Sequence, residues 1–220
     1  MLNLKQPTDN SSAITYLPHH PLDNLESIIS EGGLLAYNVM LETGTNYTNI
    51  AYENIQYRRA RIRVPCGAGG VLHDYVPFYF APRSPMLYTI NRGNVPNYTQ
   101  GQEAVIHLVS HVEDIDARGD LDFVFTDGHA VMEFTTFFDD LNYLDNIDWD
   151  VMEARYWRDT NEDNDRKRRR QAEFLVRNFL PWELITEIGV MNSTIKANTE
   201  NILQNFTHKP SVIVQKSWYY

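Results

Sequence analysis

The sequence has one cysteine and no long apolar run. Cys66 stands alone among 220 residues, which excludes a disulfide framework and a cysteine-rich zinc site. No window contains the roughly 18 uncharged apolar residues that a membrane-spanning helix needs. The first 15 residues also lack the basic-then-apolar order of a signal peptide. We therefore expect a soluble, cytoplasmic protein with no membrane partner.

Three short motifs of common enzyme folds are also missing. The chain contains no GxGxxG, no GxxxxGK[ST] and no GxSxG, which excludes the Rossmann, P-loop and α/β-hydrolase interpretations. What is present is ordinary globular composition, with 43% hydrophobic and 22% charged residues. Chains of this length usually form one domain with a sizeable core. We interpret residues 1–220 as a single domain.

Positive charge is concentrated although the chain is acidic overall. The formal net charge is −10, yet nine of the 19 lysines and arginines fall within residues 58–63 and 166–170. Such runs are often solvated helix faces. They can also form local, salt-dependent binding sites for a polyanion. Composition leaves both interpretations open.

Hydrophobic periodicity predicts interleaved helices and short strands. We predict helices over residues 22–33, 50–64, 84–93, 147–157 and 195–206, with Ser84 as the N-cap of the third helix and Asp148 as the N-cap of the fourth. We predict strands over residues 69–80, 103–110, 121–126, 172–176, 184–191 and 212–216. The order lacks the regular alternation of a doubly wound sheet, so the pattern indicates an α+β fold. Pro77 would then lie at a sheet edge or a bulge.

One arginine is out of place in the predicted helix 50–64. The spacing of Ala51, Ile55, Arg58 and Ile62 puts Arg58 on an apolar stripe. A guanidinium there needs an acid, a ligand phosphate or a route to water.

Glu173 is a second anomaly, because this carboxylate lies between the basic run 166–170 and the apolar residues of the predicted strand 172–176. Strand alternation puts Glu173 and Leu175 on one face and Phe174 on the other. The carboxylate is either a rim residue paired with the run 166–170 or part of a site that serves a polyanionic substrate.

Several segments together resemble the DarT family, toxins that transfer ADP-ribose from NAD to a base, thymine or guanine, in single-stranded DNA. The segments are LDNLESIISEGGLLA (22–36), IAYENIQYRRAR (50–61), GGVLHDYVPFYFAPRSPMLY (69–88), FVFTDGHAV (123–131), RQAEFLV (170–176) and KSWYY (216–220). They cover nearly the whole chain in the family's order. The resemblance implies an α+β, ADP-ribosyltransferase-like fold with a split, mostly antiparallel central sheet flanked by helices.

The resemblance also implies residue roles. Glu173, Arg58 and His129 would be catalytic. The residues implied to contact NAD are His19, His20, Asn24, Leu34, Ala51, Tyr52 and Arg58. Those implied to contact DNA are Arg59, Arg61, Tyr79, Arg83, Met86, Arg92, Arg166 and Arg169. The family usually carries Tyr-His-x-Thr-His before DNL, whereas residues 16–21 here read YLPHHP, so either His19 or His20 would replace its first histidine.

The implied reaction consumes NAD as a substrate and requires no metal. The implied partners are single-stranded DNA and a macrodomain antitoxin, DarG, that reverses the modification. Two other function classes stay open on the sequence. One is another NAD-consuming enzyme of this fold, such as an RNA 2′-phosphotransferase. The other is a catalytically silent nucleic-acid-binding module.

Overall fold

A computed structural model describes residues 14–45, 53–95 and 98–220, without the side chains of residues 14–20 and 53. The strands are β1 Ile14–Pro21, β2 Gly33–Leu35, β3 Tyr75–Tyr79, β4 Val105–His111, β5 Phe123–Thr126, β6 Phe137–Phe138, β7 Glu173–Arg177, β8 Phe179–Pro181, β9 Glu187–Val190 and β10 Ser211–Val214. The helices are α1 Leu25–Ser30, α2 Tyr37–Thr43, α3 Glu53–Arg59, α4 Pro85–Asn91, α5 Val112–Arg118, α6 Trp149–Glu153, α7 Arg166–Arg169 and α8 Ser193–Leu203.

The central sheet is split between two of its strands. Its eight strands run in the order β10-β9-β4-β1-β3-β7-β5-β6, and β2 pairs with β8 separately. Strands β1 and β3 share a single register pair, Tyr16 with Tyr79, whereas β3 pairs with β7 along all of Tyr75–Tyr79. The described strand pairs are antiparallel apart from β9 with β10. The predicted α+β fold with a split, mostly antiparallel sheet is confirmed.

The split explains how a proline occupies an internal strand. The prediction of an edge or bulge for Pro77 is wrong as to strand order, because β3 has a neighbour on each side. Pro77 nevertheless lies in the part of β3 that β1 leaves unpaired. Since proline cannot donate to a ladder, it is tolerated where one side of the strand is open.

The predicted helices occur, but they are shorter than the patterns indicated. Helix α3 ends at Arg59 rather than beside Pro65, because the chain then turns back and Val64 N donates to Gly70 O at 3.0 Å. The N-caps of two other helices are the expected ones. Ser84 Oγ accepts from Leu87 N at the start of α4, and Asp148 accepts from Val151 N at the start of α6. None of the described helices is long and apolar enough to span a membrane.

Strand β7 divides its side chains between two cores, as its alternation predicts. Phe174 and Val176 pack in the main core with β3, β4 and β5. Leu175 packs on the other face with Leu72 and Val124. Glu173, the first residue of β7, therefore lies on the Leu175 side and is paired with Tyr79, the last residue of β3.

Candidate active site

A cavity of about 660 Å³ opens beside β3. Strand β3, helix α1 and strand β2 form one part of its wall, and α3 lies across it. Further parts of the wall come from α2, from residues 72–73, from α4, from the segment that follows β5, and from α7. The two arginine-dense segments, which are far apart in the sequence, therefore both contribute to the wall of one cavity.

Glu173 is fully buried behind this cavity. Its Oε2 accepts from Arg59 Nη1 at 2.7 Å, and its Oε1 accepts from Ala130 N at 3.0 Å. Its backbone N donates to Thr126 Oγ1 at 3.0 Å. A charge out of water is tolerated only when it is paired and hydrogen-bonded in this way. The interpretation of Glu173 as a rim residue paired with the run 166–170 is wrong, since its partner comes from α3.

The prediction that Arg58 lies on the buried face of its helix is also wrong. Arg59 is buried and holds Glu173, while Arg58 is exposed and donates from Nη2 to Val131 O at 2.5 Å. The assumed face depended on Ile62, which lies beyond the last helical residue. With Ile55 as the reference, a spacing of four selects Arg59. Both arginines line the cavity, so α3 contacts the opposite wall through two adjacent side chains.

His129 lines the same cavity and is half-buried. Burial lowers the pKa of its imidazole, and the charges of Arg59 and Arg58 act in the same direction, against the carboxylate of Glu173. Histidine with a lowered pKa is neutral near pH 7 and can accept a proton.

The residues implied to contact NAD divide into described and undescribed groups. Asn24 and Leu34 are buried and line the cavity. Ala51 and Tyr52 lie outside the described residues, and so do the side chains of His19 and His20, whose backbone belongs to β1.

Three further cavity residues were not predicted. The ring centroids of His73 and Tyr37 lie 4.3 Å apart with the ring planes tilted by 41°, and His73 Nε2 lies 2.9 Å from Gln56 Oε1. Burial lowers the pKa of His73 to about 4, so this ring is a neutral hydrogen-bonding group. In the sequence, His73 is distinguished only by the adjacent Asp74, and the residues that it contacts come from two separate helices, α2 and α3.

The basic run is an ion-pair network rather than a free cationic edge. Arg169 pairs with Asp148 and Asp163, and Arg166 donates to Tyr156 O at 3.0 Å. Arg170 is 3% exposed and donates to backbone carbonyls of residues 83, 151, 152 and 154. Lys167 differs, because it is exposed, lines the cavity and forms no ion pair among the described residues.

The residues implied to contact DNA are dispersed. Tyr79 and Met86 line the cavity. Arg61 stacks over the Tyr57 ring at 3.7 Å, and Arg83 lies over the Tyr220 ring at 4.4 Å. Arg92 is exposed at the C-terminal end of α4. Arg61, Arg83, Arg92, Arg166 and Arg169 are not part of the cavity wall.

A split α+β sheet with a buried carboxylate at the start of an inner strand, held by an arginine, has the architecture of an ADP-ribosyltransferase. The family model for "ssDNA thymidine ADP-ribosyltransferase, DarT" matches residues 20–220. The chain belongs to the DarT family.

Relatives and solved structures agree with this assignment. A Thermus aquaticus protein named DNA ADP-ribosyl transferase is 46% identical over 201 residues, which is 90% of this chain and 86% of that protein. The Escherichia coli O127:H6 protein of the same name is 36% identical over 198 residues, covering 90% and 89% of the two chains. The structure of Thermus sp. 2.9 DarT with ADP-ribosylated single-stranded DNA matches with a TM-score of 0.87 and 43% identity, covering 94% and 96% of the two chains. The complex of the same protein with NAD+ matches with a TM-score of 0.82, 40% identity and coverage of 94% and 98%.

Proposed function

We propose that this protein transfers ADP-ribose from NAD to a thymine base in single-stranded DNA and releases nicotinamide. The observation that carries the proposal is the buried carboxylate of Glu173, paired with Arg59, which lines the cavity. The family description names a thymidine in single-stranded DNA as the acceptor. NAD and ADP-ribosylated DNA are the ligands named for the Thermus sp. 2.9 relative.

In this proposal Glu173 stabilises positive charge as the bond between C1″ and nicotinamide breaks. The bonding electrons leave with nicotinamide, and the ribose ring develops oxocarbenium character. A carboxylate that hydrogen-bonds a ribose hydroxyl in a water-poor site stabilises that charge more in the transition state than in the bound substrate. Glu173 has no exposed surface while Arg59 covers it.

The ligand must therefore displace Arg59 from Oε2 of Glu173. The diphosphate of NAD is a stronger target for a guanidinium than a single carboxylate, because two anionic groups offer it several charge-assisted hydrogen bonds. Arg59 would move to the diphosphate, and a ribose hydroxyl would take its place on Glu173. We assign to Arg59 the role that the resemblance implied for Arg58, and to Arg58 the contact between α3 and Val131.

His129 would take the proton that thymine loses. A ring nitrogen of thymine forms the new bond to C1″ and must release its hydrogen. Arginine is a poor base because its pKa is far above neutrality, whereas His129 is in the cavity with a lowered pKa. Its neutral imidazole is suited to general-base catalysis near pH 7.

Single-stranded DNA would enter from the side of α4 and α7. Met86 and Tyr79 offer apolar and aromatic surface to an unpaired base. Lys167 would contact a backbone phosphate, because the arginines on either side of it are engaged within the protein. This replaces the expectation that Arg166 and Arg169 contact DNA.

The biological setting is part of the same proposal. We place the reaction in the cytoplasm and treat residues 1–220 as one catalytic domain that acts as a toxin. Its partner would be a macrodomain antitoxin that removes the ADP-ribose. Support comes from a Thermosipho africanus protein named as a fusion of DNA ADP-ribosyl transferase and DNA ADP-ribosyl glycohydrolase. It is 26% identical over 194 residues, and the match spans 45% of that protein.

The test is a transfer assay on defined oligonucleotides. The protein is mixed with NAD and single strands that contain one thymidine or none, and products are weighed by mass spectrometry. We expect one added ADP-ribose on the thymidine strand and an equal amount of free nicotinamide. Absence of the adduct from a protein that binds NAD, as judged by thermal stabilisation, would refute the proposal. The matched control is Glu173→Gln.

A further inference from the structure

Arg168 is the one residue of the basic run whose side chain reaches the segment between β5 and β6. Its side chain is 15% exposed. Its Nη1 donates to Asp127 Oδ1 at 2.9 Å and to Thr135 Oγ1 at 3.3 Å. Its Nε and Nη2 donate to the Asp165 carboxylate, each at 2.8 Å. The fork thus joins α7 to both ends of residues 127–135.

The backbone of α7 holds the same segment. The carbonyl oxygen of Arg168 accepts from His129 N at 2.9 Å, and His129 O in turn accepts from Thr135 Oγ1 at 2.8 Å. His129 is therefore held through its own backbone and through a neighbour that Arg168 also contacts.

Gly128 lies directly against the side chain of Arg168. A Cβ on Gly128 would lie 2.3 Å from Arg168 Nη1 and 3.0 Å from Arg168 Cγ. Real Cβ atoms do not approach other heavy atoms this closely, so any larger residue would displace the arginine. The absence of a side chain at Gly128 therefore leaves the space that the side chain of Arg168 occupies.

The segment held in this way reaches the reacting carboxylate. Ala130 N, two residues beyond Gly128, donates to Glu173 Oε1 at 3.0 Å. Thr126 Oγ1 donates to Gly128 O at 2.7 Å and accepts from Glu173 N at 3.0 Å. One continuous set of hydrogen bonds therefore runs from the guanidinium of Arg168, through residues 127–130, to the backbone and carboxylate of Glu173.

We infer that Arg168 is a positioning residue, which holds residues 127–131 so that Ala130 N–H orients Glu173 and His129 faces the acceptor. The inference rests on the proposed function and adds a residue to it. Arg168 differs from Lys167, because its charge is used inside the protein and only its geometry serves the reaction. The ammonium group of a lysine cannot replace it, since the planar guanidinium contacts Asp165 and Asp127 at the same time.

The test compares Arg168→Lys and Gly128→Ala with the native protein in steady-state transfer to a thymidine oligonucleotide. We expect kcat to fall on the order of 10- to 100-fold in both variants, as displacements of about 1 Å near reacting groups do. We expect KM for NAD to stay within roughly 3-fold, because uniform binding of NAD is not altered. Arg118→Gln is the charge control, as Arg118 pairs with Asp120 and Glu183 outside the cavity.

Gly128→Ala keeps every charged partner, so it separates positioning from a folding defect in Arg168→Lys. Unchanged kcat in both variants would overturn the inference. A loss carried by KM alone would also overturn it, since that result marks Arg168 as a substrate contact.

A second readout does not depend on the transfer reaction. Titration of the His129 ring by NMR should give a pKa nearer 6.5 in Arg168→Lys than in the native protein, because a loosened turn admits water. An unshifted His129 in both variants would overturn the inference. Failure of the native protein to modify DNA would refute the proposed function alone, while the His129 titration would still decide the role of Arg168.

Discussion

The guanidinium of Arg59 covers the carboxylate of Glu173. Nη1 and Oε2 lie 2.7 Å apart, and the two side chains are 8% and 0% exposed. The two residues are separated by 114 positions in the chain and belong to α3 and β7. A helix that lines the cavity is thus joined to a fully buried carboxylate by one charge-assisted hydrogen bond.

Removing the charge of Glu173 should slow transfer strongly without removing NAD binding. Glu173→Gln keeps the size and the acceptor oxygen but cannot stabilise a developing cation, so we expect kcat to fall on the order of 10²- to 10³-fold. Nicotinamide release and adduct mass measure the effect, and thermal stabilisation by NAD checks that the ligand still binds. A variant that retains native kcat would exclude Glu173 from the reaction.

The buried pair should show strong coupling in stability. Arg59→Gln leaves the Glu173 carboxylate without its cationic partner, so we expect a loss of about 3–5 kcal/mol in the free energy of unfolding. The double variant Arg59→Gln with Glu173→Gln should recover much of that loss, because no unpaired charge remains. Urea unfolding measures all three. Arg58→Gln is the adjacent control, and an equal loss there would contradict the assignment of the buried partner.

The transfer rate should decline on the acid side only at a pH below the ordinary pKa of histidine. Burial lowers the pKa of His129 from 6.5, so its basic form persists to lower pH than that of an exposed histidine. We expect kcat to decline only below pH 6.5, with the midpoint at the pKa of His129. His129→Asn should lower kcat and remove this limb from the pH profile. The same limb in His129→Asn would assign the proton transfer to another group.

The stability of the fold should fall as the pH drops from about 6.5 to 4. His107 is fully buried, and burial lowers its pKa from 6.5 to about 4. Its Nε2 lies 3.1 Å from Pro82 O, so this nitrogen carries the proton and Nδ1 is unprotonated. Within this window the unfolded chain binds a proton that folded His107 does not bind, so lowering the pH favours unfolding.

The expected slope from His107 is at most about 1.4 kcal/mol per pH unit. His73 adds a change of the same sign, because its pKa is lowered as well. His107→Gln preserves hydrogen-bonding groups and should flatten the dependence by the contribution of one histidine. Urea unfolding at pH 7, 5.5 and 4.5 measures it. A variant with the native pH dependence would show that folding does not lower the pKa of His107.

The basic run should separate into a DNA contact and structural residues. Lys167→Gln should weaken binding of a single-stranded oligonucleotide and reduce the slope of log K against log salt by about 0.7, as expected for one lost phosphate contact. Arg169→Gln should leave that slope unchanged and lower stability, because Asp148 and Asp163 lose their partner. Fluorescence anisotropy at several salt concentrations distinguishes them. Equal slopes for the native protein and Lys167→Gln would remove Lys167 from the DNA path.

Short sequence patterns correctly predicted local features, such as helix caps and the alternation of side chains along a strand. The Ser84 and Asp148 caps are present as expected, since a cap needs only its own first turn. The alternation of β7 holds because side chains on a strand alternate whatever the strand pairs with. The face of α3 was predicted wrongly, because the helix stops at Arg59 when the chain turns to pair residues 62–64 with 70–72.

The two arginine-dense segments show where prediction from sequence ends. Five adjacent basic residues gave no indication which of them is buried, paired or free. Arg170 is buried among backbone carbonyls, Arg168 is held by carboxylates, and Lys167 faces the cavity. The acids and carbonyls that decide these outcomes come from distant segments, so the run itself does not contain the information.

By itself, the sequence determined the α+β class, the positions of most helices and strands, and the unusual placement of Glu173 at the head of an apolar strand. These features depend on hydrophobic periodicity and on interactions between residues close in sequence, so they can be predicted from the sequence alone. The choice of Arg59 over Arg58, the enclosure of Glu173 and the coupling of Arg168 to the 127–131 turn were decided by tertiary structure. A buried charge is stabilised only by the groups around it in space, and here those groups come from α3 and from the segment that follows β5.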